Sequence, residues 1–73
     1  MRKTIREINR RLGLHIFKPG YPTGIGQYMI LSSERKAALA ALAKAGLEAQ
    51  LLLGVGHDYN CGGDLHVIRR SVR

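Results

Sequence analysis

The hydrophobic period changes several times along the chain, and the changes mark its elements. Ile5, Ile8 and Leu12 recur at helical spacing between charged residues, which predicts an amphipathic helix over residues 4–12. Thr4 and Glu7 stand at the spacing of a capping box, in which each side chain satisfies the other's backbone N–H. Gly13 supplies the left-handed position that commonly ends a helix. On the helical wheel Arg6 and Arg10 share one flank of the apolar stripe, and Glu7 and Arg11 form an i,i+4 pair on the other.

Leu14–Lys18 is rich in β-branched and aromatic residues and predicts a strand. The turn residues of 19–24 end it, and a second strand follows over Gln27–Leu31, where Tyr28 and Ile30 alternate with Met29 and Leu31. These two strands form a predicted hairpin with a long loop. Ser32 or Ser33 is the candidate cap of a second helix running from Glu34 to Ala45, built almost wholly from strong helix formers. Gly46 is its expected terminator, Leu39 and Leu42 its expected buried bulk. Leu47–Val55 reads as a buried strand, residues 54–64 as a polar glycine-rich loop, and Leu65–Val72 as a final strand with Leu65, Val67 and Arg69 alternating against His66, Ile68 and Arg70.

The order is therefore α-β-β-α-β-β. It predicts an α+β fold: two hairpins in a mainly antiparallel four-stranded sheet with two helices packed on one face. At 73 residues there is room for a single domain, 1–73, and such a chain buries only about 60% of its unfolded surface. A thin core of this kind favours association, and the exposed edge expected of the last strand makes a homodimer a natural form.

Charge changes the picture most. Residues 1–11 carry Arg2, Lys3, Arg6, Arg10 and Arg11 against Glu7, a net +4. Residues 69–73 add Arg69, Arg70 and Arg73, a further +3. The intervening residues, 12–68, sum to zero, so the formal net charge of +7 is wholly terminal. Most of the basic residues are arginine, whose planar fork suits phosphate and carboxylate. If the termini meet, as termini often do, Arg2, Lys3, Arg6, Arg10, Arg11, Arg69, Arg70 and Arg73 form one patch able to contact nucleic-acid phosphates. The alternative is a small interaction or inhibitor module, of the economical kind found in phage and mobile elements. It would dock the same cations on an acidic protein surface and present Tyr21, Tyr28, His57 and Tyr59 from or beside its loops. The bland alternative to both is a solvated helix face.

Other chemistry is weakly represented. His57, Asp58, Cys61, Asp64 and His66 are metal-capable types, but their spacing lacks the paired ligands of zinc sites, and no metal or cofactor is expected. Cys61 beside a histidine lacks an orienting third group for nucleophilic catalysis, so the chain reads as non-enzymatic. Gly24-Ile25-Gly26 is half of a dinucleotide fingerprint in the wrong context, before a strand rather than a helix. Met1-Arg2-Lys3 is not followed by an apolar signal segment, and no run approaches the roughly 18 apolar residues that span a bilayer. The lone cysteine fits a reducing cytoplasm.

Overall fold

The computed structural model describes residues 1–20, 24–52 and 62–71. Its elements run α1 (Arg2–Leu12), β1 (Gln27–Leu31), a 3₁₀ turn (Ser32–Glu34), α2 (Arg35–Lys44), β2 (Leu47–Leu51) and β3 (Gly63–Arg70). The fold is α+β, with two helices and a three-stranded antiparallel sheet in the order β1-β3-β2. β3 pairs with both neighbours, Tyr28 opposite His66 on one side and Ala49 opposite Ile68 on the other. β1 and β2 therefore run parallel to each other, joined by α2, with the last strand inserted between them. The expectation that the last strand is an exposed edge is corrected: it is the centre of the sheet. Its apolar residues occur on both faces, Leu65 on one and Ile68 on the other, and both are buried.

One sheet face carries the helices. Tyr28, Ile30, Ile68 and Leu47 pack there against Ile5 and Ile8 of α1 and Ala38, Ala41 and Leu42 of α2. Burying each large aliphatic side chain contributes about 1.5–3 kcal/mol, so Ile5 and Ile8 provide most of what holds α1 down. Leu12, expected in the same stripe, is half exposed at the helix end, and Leu39 is only partly buried, its place in the contact taken by the alanines.

The predicted first strand, Leu14–Lys18, is not a strand, and the reason lies in where its backbone groups go. The Asn9 side chain donates from Nδ2 to the Ile16 carbonyl at 2.8 Å, and its Oδ1 accepts the Ile16 N–H at 3.0 Å. Glu34 Oε1 accepts the His15 N–H at 2.8 Å. Only Phe17 pairs with β1, as an isolated antiparallel bridge to Met29. The His15 N–H, which the next rung opposite Leu31 would have used, is thus taken by Glu34, and Pro19 has no N–H for the rung on the other side, so the hairpin shrinks to a single rung. The Ile16 groups point to the opposite edge, where Asn9 satisfies them.

Two predicted caps and one predicted ion pair also differ. α1 begins two residues earlier than Thr4, with Met1 at its N-cap and no side-chain cap, so Thr4 and Glu7 lie inside the helix and form no capping box. Ser32 and Ser33 occupy the 3₁₀ turn and do not cap α2. Glu7 meets Arg10 at 3.5 Å in place of Arg11. The glycine terminators are as expected: Gly13 is left-handed, and both it and Leu14 donate to the Asn9 carbonyl. Gly46 is left-handed after α2.

Asn9→Ala should lower stability by about 1–3 kcal/mol, because it leaves the Ile16 N–H and carbonyl without partners; a urea midpoint unchanged from wild type would count against this role. Gly26 and Gly46 share a φ of 79°, but a Cβ on Gly26 would stand 2.8 Å from the Ile68 carbonyl oxygen, while one on Gly46 meets nothing within 4 Å. Gly26→Ala should therefore cost clearly more than Gly46→Ala in the same assay, since both strain the backbone and only one also collides with it.

Glu34 takes the His15 ring nitrogen Nδ1 at 2.7 Å as well as the backbone N–H. The ring hydrogen bond is the largest influence on the carboxyl and lowers its pKa; partial burial raises it, the His15 N–H and ring charge lower it again, and the net shift is downward. A carboxylate with a depressed folded-state pKa stabilises the fold above its unfolded pKa. That contribution disappears as pH falls through the lowered folded value. Glu34→Gln should reduce stability at neutral pH and flatten the acid limb of the stability–pH curve. Parallel acid limbs for the two proteins would refute the linkage.

His66 lies on the helix-facing side of β3 and is 0% exposed. Its Nδ1–H donates to the Asp64 carbonyl at 2.9 Å, which leaves the buried Nε2 lone pair without a partner among the described residues. An unmet buried polar atom costs about 1–3 kcal/mol. His66→Leu, which removes it at similar volume, should leave the thermal midpoint equal or higher. A fall of several degrees would show that the ring makes a contact the apolar side chain cannot replace.

Candidate nucleic-acid interface

The basic residues of α1 are placed by the burial of its opposite side. Ile5 and Ile8 turn inward, and at the helical step this sends Arg2, Lys3, Arg6, Arg10 and Arg11 to solvent, all of them exposed. Among the described residues only Arg10 of this group has a carboxylate within 4 Å, Glu7 at 3.5 Å. That contact is exposed and geometrically loose, so it neutralises little. Lys3 and Arg11 flank an open groove of about 270 Å³ whose floor is formed by Ile8 and by Ala45 at the end of α2. The α2 C-terminus presents the negative end of its dipole there, which favours nearby cations.

The C-terminal arginines divide. Cross-strand partners share a face, so Arg70, opposite Leu47, projects on the helix side, while Arg69, opposite Glu48, projects on the other. Arg69 Nε bonds Glu48 Oε1 at 3.0 Å. The end of β3 nevertheless adjoins the groove: the Ser71 N–H donates to the Gly46 carbonyl, and Gly46 follows the groove residue Ala45. The fold thus brings α1 and Arg70 to the same side, and turns Arg69 away from them. Strand parity was readable in the sequence; the Glu48 partner depends on the β2–β3 register and was not.

Of the candidate loop residues, Tyr28 is buried in the core, with the Lys18 ammonium 5.0 Å from its ring centroid, and does not project as a contact residue. Tyr21, His57, Tyr59 and Arg73 lie outside the described residues, as do Asp58 and Cys61. Among the described residues no three His, Cys, Asp or Glu side chains converge as metal ligands, and His66 faces apolar neighbours. No described helix is long and apolar enough to cross a membrane.

The buried His66 Nε2 and the fit of Asn9 to Ile16 are the features sequence reading missed. Each depends on tertiary neighbours, although Leu65 and Ile68, apolar and of opposite parity, were a signal that the His66 strand is covered on two faces. No family model, curated protein or solved structure matches the chain.

Proposed function

We propose that this chain is a non-enzymatic binding module that lays the solvent face of α1 against the phosphates of a nucleic-acid duplex. The observation that carries this reading is the row of exposed cations on one helix, of which only Arg10 has a nearby carboxylate among the described residues. The placement is costly for the helix itself. Arg2 and Lys3 fall in a first turn with no acidic residue and no side-chain cap, where positive charge opposes the helix dipole by about 0.3–1 kcal/mol each. Local choices that work against stability concentrate where a surface serves something else.

A duplex suits the geometry better than a single strand. Arg2 and Arg10 are eight residues apart, about 12 Å along the helix axis, comparable to the roughly 12 Å width of the major groove. The ends of α1 can therefore address phosphates on both walls. Single-strand binding draws on stacking platforms, and Tyr28 is committed to the core.

Binding to short duplexes should weaken steeply with salt, with a slope of log K against log salt of about −0.9 for each phosphate neutralised. Arg6→Gln and Lys3→Gln should each reduce that slope by about one and weaken all sequences alike. Arg69→Gln, on the other sheet face beside Glu48, should change it little. No binding to duplex at low salt would overturn the proposal. Retained affinity for a protein recovered after nuclease treatment would instead favour an acidic protein surface as the partner of the same cations.

A further inference from the structure

The two edges of the sheet are not equivalent. On the β1 edge, Met29 exchanges both backbone hydrogen bonds with Phe17, and the Gln27 N–H donates to the Gly24 carbonyl. The chain's own backbone thus covers the middle of that edge. On the β2 edge the ladder bonds to β3 fall at even-numbered positions, as the Ser71–Gly46 and Leu52–Leu65 bonds at its two ends show. The N–H and carbonyl groups of Leu47, Ala49 and Leu51 therefore point away from β3, and among the described residues none has a backbone partner. β2 contains no proline and no bulge, two of the means by which an edge is protected.

We propose that this edge pairs with the same edge of a second copy, antiparallel and about a twofold axis through Ala49. The register follows from the sequence Leu47-Glu48-Ala49-Gln50-Leu51. Outward-pointing groups must meet each other, which restricts the pairing to a few registers. Centring the axis on Glu48 sets two carboxylates directly opposite, a destabilising like-charge pair. Centring it on Ala49 sets Glu48 opposite Gln50 of the other copy, uses every residue of the strand, and forms about six inter-chain backbone hydrogen bonds.

The same register gives Leu51 a neighbour. Leu51 is 37% exposed on the helix side, and in the dimer it stands beside Leu47 of the second copy. Across the axis the small Ala49 side chains face each other. The twofold is perpendicular to the sheet, so both helical layers remain on one side. The two three-stranded sheets become one of six, with a partly covered β1 edge at each end and the two α1 arginine faces turned the same way. The pairing does not depend on nucleic-acid binding, though it would present that surface twice.

Sedimentation of the nuclease-treated full chain at tens of micromolar, in high salt, should give twice the monomer mass. Two variants probe the edge without touching the intrachain ladder or the arginines: Ala49→Pro removes an outward N–H that has no backbone partner among the described residues, and Leu51→Lys places charge at the end of the paired strand, beside Leu47 of the second copy. Each should halve the observed mass, with Leu51→Lys keeping the wild-type circular dichroism spectrum. A monomeric wild-type chain would overturn the proposal and leave the edge to an extended segment of another protein. A dimer that survives Leu51→Lys with a native spectrum would overturn it equally, by moving the interface elsewhere.

Discussion

The Asn9 side chain, paired with both backbone groups of Ile16, is the interaction on which the arrangement of this protein depends. A primary amide presents a donor and an acceptor side by side, as a neighbouring strand would. It therefore completes one side of an extended segment without any strand being there. On the other side of the same segment Phe17 reaches Met29, and just before it His15 is held by Glu34. The segment acts as a tie between α1, the edge of β1 and the start of α2. α1 has no adjoining strand to anchor it; besides Ile5 and Ile8, this tie is what fixes its rotation, and with it the direction in which its arginines face.

The sequence made the periodic elements legible and left their joints obscure, for one physical reason. Periodicity records which side of an element is buried, and burial dominates the energetics. Ile5 and Ile8, the alternation around Tyr28 and Ile30, and the left-handed glycines after both helices were all readable on that basis. Caps and edges are settled by weaker interactions, worth about 1 kcal/mol, which tertiary contacts easily override. Glu34 illustrates the point: it stands where a helix-entry carboxylate is expected, but its side chain is taken up by His15, far away in sequence. Thr4 lost its capping role because the helix extends past it to Arg2. The β propensity of Leu14–Lys18 was real, since the segment is extended, but a strand also needs a partner along its length, and Asn9 supplied one residue's worth.

The candidate surface was legible in the same partial way. That the charge is terminal follows from the sequence alone. Which arginines act together does not, because it depends on strand parity and on register at once. Arg69 and Arg70 are neighbours in the chain and lie on opposite faces of the sheet, and the β2–β3 register sets Glu48 against the first of them. A charge count treats the two as equal; the fold separates one that is locally balanced from one that shares a side with α1.

This separation bears on what the neutral middle of the chain does. An eleven-residue helix is shorter than the roughly 12–15 residues at which isolated helices become even marginal in water, and α1 carries a strong excess of like charge besides. Free in solution it would be a disordered basic peptide, and under the proposed binding to phosphates it would give up chain entropy on each encounter. Docked through Ile5, Ile8 and Asn9 it is ordered beforehand, and the cost of ordering is met once, by folding, and not at binding. The scaffold therefore need contribute no contact of its own to a partner. Its neutrality is consistent with the proposed binding mode, in which charge placed on the body would compete with the helix for orientation on a polyanion.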